Sequence, residues 1–401
     1  MIKYRLGDVL TIIMDYRGKT PKKLGLDWTE DKNDIVALSA KNLKNGELIN
    51  LDKSHYGNSA LYNKWMKDGD ISVGDILMTS EAPLGELFLV DKPIKAILSQ
   101  RIFLLRPNNS IVLPWYLYFY MSSKNFQNRL NGHATGTTVI GIKQKELRNI
   151  EIELPSLSIQ KSIVRKLVPI SKKIEINKEI NANLTNQLNS MFDKMYYESS
   201  SRIELMNFVS EMKSGDWGKA KLTDNFIKPA VIIRGTDFCN VANGQKSDAP
   251  IRYLKTATIQ KKHLIANDVL IEISGGSPTQ STGRSLLITD KLLNRYNTPV
   301  LGTNFTRLFR CETEENAVLF HSYINFLYNK NVFFNYENGT TGIKNLDYKS
   351  ILKINVNDVQ KHSLFPKYFS MYHFYESMKQ HLGDESTVLT CLKEQLLRKF
   401  F

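Results

Sequence analysis

From Ile163 onward the apolar positions recur every three or four residues: Ile163, Leu167, Ile170, Ile174, Ile180, Leu184, Leu188, Met191 and Met195. This period predicts one long amphipathic helix with a coiled-coil-like seam. Asn177 interrupts the seam, a polar position of the kind that fixes helix register. Pro169 is expected to kink the helix or split off its first turns. Towards the C-terminus, Tyr368, Met371, Tyr375, Met378, Leu382, Leu389, Leu392 and Leu396 form a comparable stripe, weakened near Gly383. Each stripe taken alone also fits an ordinary core-facing helix. The first, however, would run roughly 60 Å for its about 40 residues. Two such stripes predict an antiparallel pair that buries both seams and holds a globular part at either end.

Upstream of each stripe the period changes. Short β-rich runs, "DIVALSA", "DILMTS", "RIFLLRP" and "IEIEL" in the first half and "AVIIRGTD", "DVLIEISG" and "TRLFRC" in the second, predict strands. Aromatic-rich stretches, Pro114 to Leu130 and Phe320 to Tyr336, predict helices packed on the sheets, their rings used for core packing rather than for stacking on bases. The class expected is α+β: two α/β domains joined by two long helices.

The two halves also repeat one another. Setting Gly141-Ile142-Lys143 on Gly342-Ile343-Lys344 gives 342 − 141 = 201, and Gln160-Lys161 on Gln360-Lys361 gives 360 − 160 = 200. "GDILMTS" from Gly74 resembles "NDVLIEIS" from Asn267, and Gly18-Lys19 pairs with Gly218-Lys219. Both halves open alike, "RLGDVL" from Arg5 against "ELMNFV" from Glu204. Such a period is too long for a solenoid, so each copy is a domain plus a connector, and an approximate two-fold relation between them is expected. The boundaries expected are residues 1–153 and 199–357 for the domains, with 154–198 and 358–401 for the helices. Between the anchors the copies look unrelated. What repeats is scaffold, and what differs is what the scaffold displays.

Composition is that of an ordinary globular chain, 42% hydrophobic and 23% charged, with room for two or three cores in 401 residues. Lys and Arg number 54 against 40 Asp and Glu, a formal charge of +14, which favours a polyanionic partner. Cys239, Cys311 and Cys391 are widely separated and suggest neither a disulfide framework nor a thiolate metal site. No apolar run reaches membrane-spanning length. A soluble cytoplasmic protein without a membrane partner is expected.

Enzyme signatures are missing from the chain. "GGSPTQSTGR" lacks the Gly-Lys-Ser/Thr ending of a phosphate-binding loop. No Asn/Asp-Pro-Pro-aromatic methyltransferase motif occurs, the nearest being "YNTPV" from Tyr296. Asp268 and Glu272 precede Ser274, where a metal-dependent nuclease would place a lysine, and no histidine pair has metal-ligand spacing. Neither a catalytic residue nor a cofactor or metal is therefore expected.

The polar variety lies in glycine-containing loops: "DYRGKTPKKLG", "EMKSGDWGKAK", "SGGSPTQSTGR" and the two Gly-Thr-Thr segments. Hydroxyl, amide and basic groups on such turns suit phosphate and base-edge contact. The candidates are Arg17, Lys19, Lys22, Lys23, Thr137, Thr138 and Lys143 in the first half. In the second they are Lys213, Lys219, Arg234, Gln280, Arg284, Thr340, Thr341 and Lys344.

The order domain, long helix, domain, long helix, with "Leu-Pro-x-Leu-x-x-Gln-Lys-x-Ile" from Leu154 to Ile163, resembles the specificity (S) subunits of type I restriction-modification systems. The resemblance spans the chain, with "GDIL" and the Gly-Thr-Thr loops as further support. It implies that each domain is a target recognition domain reading one half of a split double-stranded DNA site. The helices then set the spacing and bind two methyltransferase subunits. Methylation with S-adenosylmethionine and ATP-driven cleavage belong to those subunits and to the helicase-nuclease restriction subunits. The second copy, "NVNDVQKHSLFPKYF", keeps only the Gln-Lys, which puts equal docking of both methyltransferase copies in doubt. A standalone nuclease and a non-catalytic RNA-binding or scaffold protein remain the alternatives.

Overall fold

The computed structural model describes residues 1–136, 139–276, 280–339 and 343–401. The chain divides into two compact units, residues 1–172 with 391–401, and residues 173–390.

In the first unit a four-stranded antiparallel sheet runs in the order Leu10–Asp15, Ile102–Pro107, Ile76–Thr79, Leu87–Leu89. Successive side chains of a strand point to opposite faces. Here both faces are covered, which is why "DILM" and "RIFLL" read as unbroken apolar runs. Met78, Phe103 and Leu105 face the aromatic stretch, whereas Leu77, Ile102 and Leu104 face a second core around Trp65. The aromatic stretch forms two helices, Pro114–Ser122 and Lys124–Gly132. The break falls at Ser123, whose hydroxyl accepts from the Phe126 amide at 3.3 Å. Tyr116, Phe119 and Phe126 are fully buried, so these rings pack the core as the sequence suggests.

The second unit repeats this plan. Its four-stranded antiparallel sheet has the order Glu211–Ser214, Thr306–Arg310, Asp268–Glu272, Ser285–Leu287. Each unit adds a three-stranded sheet with one antiparallel and one parallel pairing: His55–Gly57, Ile35–Leu38, Ile97–Leu98 in the first, and Ile251–Leu254, Lys228–Ile233, Val300–Gly302 in the second. Each also closes with a two-stranded pair, Ile2–Arg5 on Glu151–Leu154 and Arg202–Glu204 on Asn355–Asn357. The aromatic helix of the second copy, Glu314–Asn329, starts earlier than its aromatic run because the Thr313 hydroxyl caps it, accepting from Asn316 N at 3.1 Å.

The "GDIL" likeness has a structural cause. Gly74 (φ 95°) and Asn267 (φ 71°) both take the left-handed turn that precedes the strand, a conformation glycine and asparagine tolerate best. The following aspartates are buried and do the same two things. Asp75 accepts from Ser72 N at 2.7 Å and pairs with Arg106 at 2.7 and 2.8 Å. Asp268 accepts from Ile265 N at 2.8 Å and pairs with Arg310 at 2.9 and 3.0 Å. Removing one partner of such a buried pair costs about 3–5 kcal/mol, because the other charge is left uncompensated. Asp75→Ala and Asp268→Ala are therefore each expected to lower stability by about that amount in chemical denaturation. A loss under 1 kcal/mol at either site would show that the pair is not a shared strut.

The first long helix, Leu157–Glu198, is continuous. Pro169 lies inside it, so the expected split does not occur. The second runs Phe365–Phe400, after a 3-10 turn at Val359–Lys361. In the second unit the two run antiparallel: Asn177 donates to Glu385 at 2.7 Å and Ser386 at 3.3 Å, Tyr375 donates to Gln187 at 2.7 Å, and His362 meets Glu198 at 3.1 Å. The polar break at Asn177 is thus fully buried and tied across the pair. Leu188, Phe192, Met195, Tyr368 and Tyr372 join the core of the unit. In the first unit, Ile163 and Leu167 pack with Leu396, Leu397, Phe400 and Phe401 in the same way. Gly383, where the stripe weakens, is a docking point: a side chain there would collide with the Gly244 carbonyl group, so only glycine lets that loop rest on the helix.

The signature glutamine proves local in function. Gln160 is buried, accepts from Leu113 N, and donates to the Ile111 and Pro155 carbonyls, each at 3.0 Å. Gln360, its match in the second copy, is exposed and donates instead to Glu315 at 2.6 Å.

Candidate nucleic-acid interface

Register decides where the loops go. In the first unit Asp15 lies opposite Phe103 and Thr79 opposite Ile102, so the segments after Asp15, after Thr79 and before Ile102 leave one end of the sheet. The backbone at Gly141-Ile142 joins them there. Ile142 N donates to Ser80 O at 3.0 Å, and the Ile142 carbonyl accepts from Arg17 at 2.9 Å. In the second unit Ser214 lies opposite Arg307, Glu272 opposite Thr306 and Ile271 opposite Ser285. The loops after Ser214, after Glu272 and before Thr306 therefore share the corresponding end. The strand Lys344–Leu346 reaches the same place by pairing with Ser274–Gly275 and Glu337–Asn338. Loops picked out separately in the sequence are thus gathered at one sheet end in each unit. Thr137, Thr138, Thr340 and Thr341 lie outside the described residues.

Half of the candidate cations already hold a carboxylate of their own unit. Arg17 grips Asp15 at 2.6 and 2.8 Å and stands 4.6 Å over the Phe103 ring. Lys213 meets Glu211 at 2.7 Å, and Arg234 chelates Asp237 at 2.9 and 3.0 Å. Arg284 forms a two-pronged pair with Glu272 at 2.8 and 2.7 Å. Lys344 meets Glu337 at 2.8 Å, while Glu337 also accepts from Thr282 N at 2.6 Å and Oγ1 at 3.0 Å. Burial works against the Glu337 charge, but the Lys344 ammonium and the two Thr282 donors outweigh it and hold its carboxyl below the usual range. Glu337 thereby ties Thr282, at the end of the glycine-rich loop, to the strand Lys344–Leu346. Sequence reading passed over it because nothing local distinguishes it from a solvated glutamate.

The remaining candidates are differently placed. Lys19 donates to the Trp65 carbonyl at 2.6 Å and lies 4.7 Å over Tyr16; burial, then the charge of Lys67, pushes its pKa down. Lys23 donates to Gly18 O at 2.7 Å, and Gln280 to the Tyr328 hydroxyl at 3.4 Å. Lys22, Lys143 and Lys219 are exposed and, among the described residues, make no ion pair. A cation without a carboxylate is the one able to take up a phosphate without first giving up a partner. Among the described residues, no group of three His, Cys, Asp or Glu side chains is placed to hold a metal, and no helix is long and apolar enough to cross a membrane.

Residues 1–186 match the family described as the type I restriction modification DNA specificity domain. The type I restriction enzyme MjaIX specificity subunit of Methanocaldococcus jannaschii is 26% identical over 185 residues, 45% of this chain and 41% of the relative. The EcoBI specificity subunit of Escherichia coli is 25% identical over 134 residues, 32% of this chain and 28% of the relative. These matches span less than half the length of the curated relatives. The crystal structure of the S subunit of a type I restriction-modification system from M. genitalium matches over 100% of this chain and 96% of its own, with a TM-score of 0.52 and 16% identity, and so shares the fold.

Proposed function

From the match of residues 1–186 to the type I restriction modification DNA specificity domain, we propose that this chain is the non-catalytic DNA-recognition subunit of a type I restriction-modification complex. Each unit reads one half of a split duplex target with the loops at its sheet end. The long helices set the spacer and dock two methyltransferase subunits, and restriction subunits complete the assembly. The observation that supports this reading best is the duplicated scaffold: one sheet order, one aspartate strut and one loop-gathering end occur twice, carrying different loop residues. Two copies with different readers suit two different half-sites.

Phosphate contact makes DNA affinity fall with salt, by close to 0.9 in the log-log slope for each phosphate neutralised. Because Lys22 and Lys143 are exposed without ion pairs, Lys22→Ala and Lys143→Ala are each expected to reduce the slope by about 0.9. Binding titrations across a salt series, with duplex and RNA competitors, check this. Unchanged slopes would remove both residues from the interface, and preference for the RNA would overturn DNA as the target. The chain alone, given S-adenosylmethionine and duplex, is expected to transfer no methyl group.

A further inference from the structure

Beside the reading loops, the second unit carries a set of cations with no carboxylate to answer them. Lys219 and Lys255 make no ion pair among the described residues, yet both ammonium groups stand over one ring, Phe226, at 5.7 and 5.4 Å. Arg252, also without an ion pair there, lies 4.5 Å over Trp217 and is held by donating to the Trp217 carbonyl at 3.2 Å. The nearby carboxylate Asp216 is engaged by Lys262 at 3.7 Å.

The backbone beneath is fixed. Lys219 and Tyr253 exchange two hydrogen bonds of 2.9 Å, and Thr223 and Phe226 close the loop tip at 3.0 and 3.3 Å. Gly218 (φ 62°) sits so near the Tyr253 carbonyl that a side chain there would be crowded. Trp217 remains 39% exposed, and with Lys219, Phe226 and Asn304 it lines an open cleft of about 380 Å³.

We propose that this surface is a phosphate-backbone clamp: Lys219, Lys255 and Arg252, seated on Phe226 and Trp217, take successive phosphates of one DNA strand and position the second unit without reading sequence. The inference rests on the recognition role proposed above and divides it, leaving the bases to the loop that Arg284 and Glu337 hold. Three physical points support the division. Cations without a carboxylate break no ion pair when a phosphate arrives. Aromatic faces hold flexible lysine side chains where they are needed, which lowers the cost of ordering them. Phosphate contacts fix register but carry no base information.

The test uses the full chain assembled with methyltransferase subunits, on a duplex selected by that complex from a random pool and on the same duplex with one half-site scrambled. Lys219→Ala with Lys255→Ala is expected to reduce the salt slope by about 1.8, two phosphates at 0.9 each. Affinity should fall by the same factor on both duplexes, so their ratio stays that of the parent complex. Lys219→Arg with Lys255→Arg should restore the slope, which separates charge from a folding defect. An unchanged slope in the alanine variant overturns the clamp. So does a changed ratio, since the lysines would then be reading bases. If the parent complex fails to distinguish the two duplexes, it is the recognition role itself that fails.

Discussion

A chain lengthened by four residues in each long helix, between Lys172 and Lys173 and between Thr390 and Cys391, is expected to recognise the same two half-sites separated by one more base pair. Those positions are where the two compact units divide. Matched insertions leave the cross-helix bonds of Asn177, Gln187 and Glu198 in register within the second unit. Four residues add about 6 Å of rise and about 400° of rotation, a net turn of roughly 40°. One base pair turns DNA by about 35° and advances it by about 3.4 Å. Rotation matches one base pair, while rise alone would suggest nearly two. Rotation should dominate, because a recognition unit turned off its groove loses its base contacts, whereas a few ångströms of rise are absorbed by bending. Affinity for the original spacing should fall towards non-specific binding, about 10³-fold or more. Selection of preferred sites from a randomised pool measures the spacer directly, and an unaltered spacer would show that the helices do not set it.

Much of this architecture was legible because it is written in local patterns. The long stripes, the unbroken apolar strands and the Gln-Lys and Gly-Ile-Lys repeats all declare themselves within a few residues. What stayed hidden depends on residues that only the fold brings together. Asp75 finds Arg106 31 positions on, but Asp268 finds Arg310 42 positions on, so no fixed spacing marks the shared strut. The three-stranded sheets repeat although "DIVALSA" and "AVIIRGTD" share little beyond apolar character, since a buried strand asks for apolar β-formers rather than particular ones. Gln160 and Gln360 show the opposite error: the same dipeptide stands in both copies, yet one glutamine is a buried strut and the other a surface bond.

The candidate site divides in the same way. Its loops could be named from glycine and hydroxyl content, and the sheet register then explains why they converge. Which cations are spoken for could not be read. Arg234 and Asp237 are only three residues apart, but Arg284 meets Glu272 across a loop, and Trp217 meets Arg252 between separate elements. A lysine facing solvent and one facing a carboxylate look alike in sequence. Of the two outcomes expected at Pro169, the split is the one that does not occur, since the helix runs on through it.

Exchange of one recognition unit reaches furthest into the proposed mechanism. Residues 199–357 are replaced by the corresponding segment of a related specificity subunit with a different target. The hybrid is assembled with the methyltransferase subunits, and its methylated sites are mapped across a genome. One half-site should become that of the donor, the other should remain unchanged, and the spacer should stay as it was, while methylation of the parental site falls to background. Methylated sites in which both half-sites change, or neither does, would contradict the division of recognition between the two units.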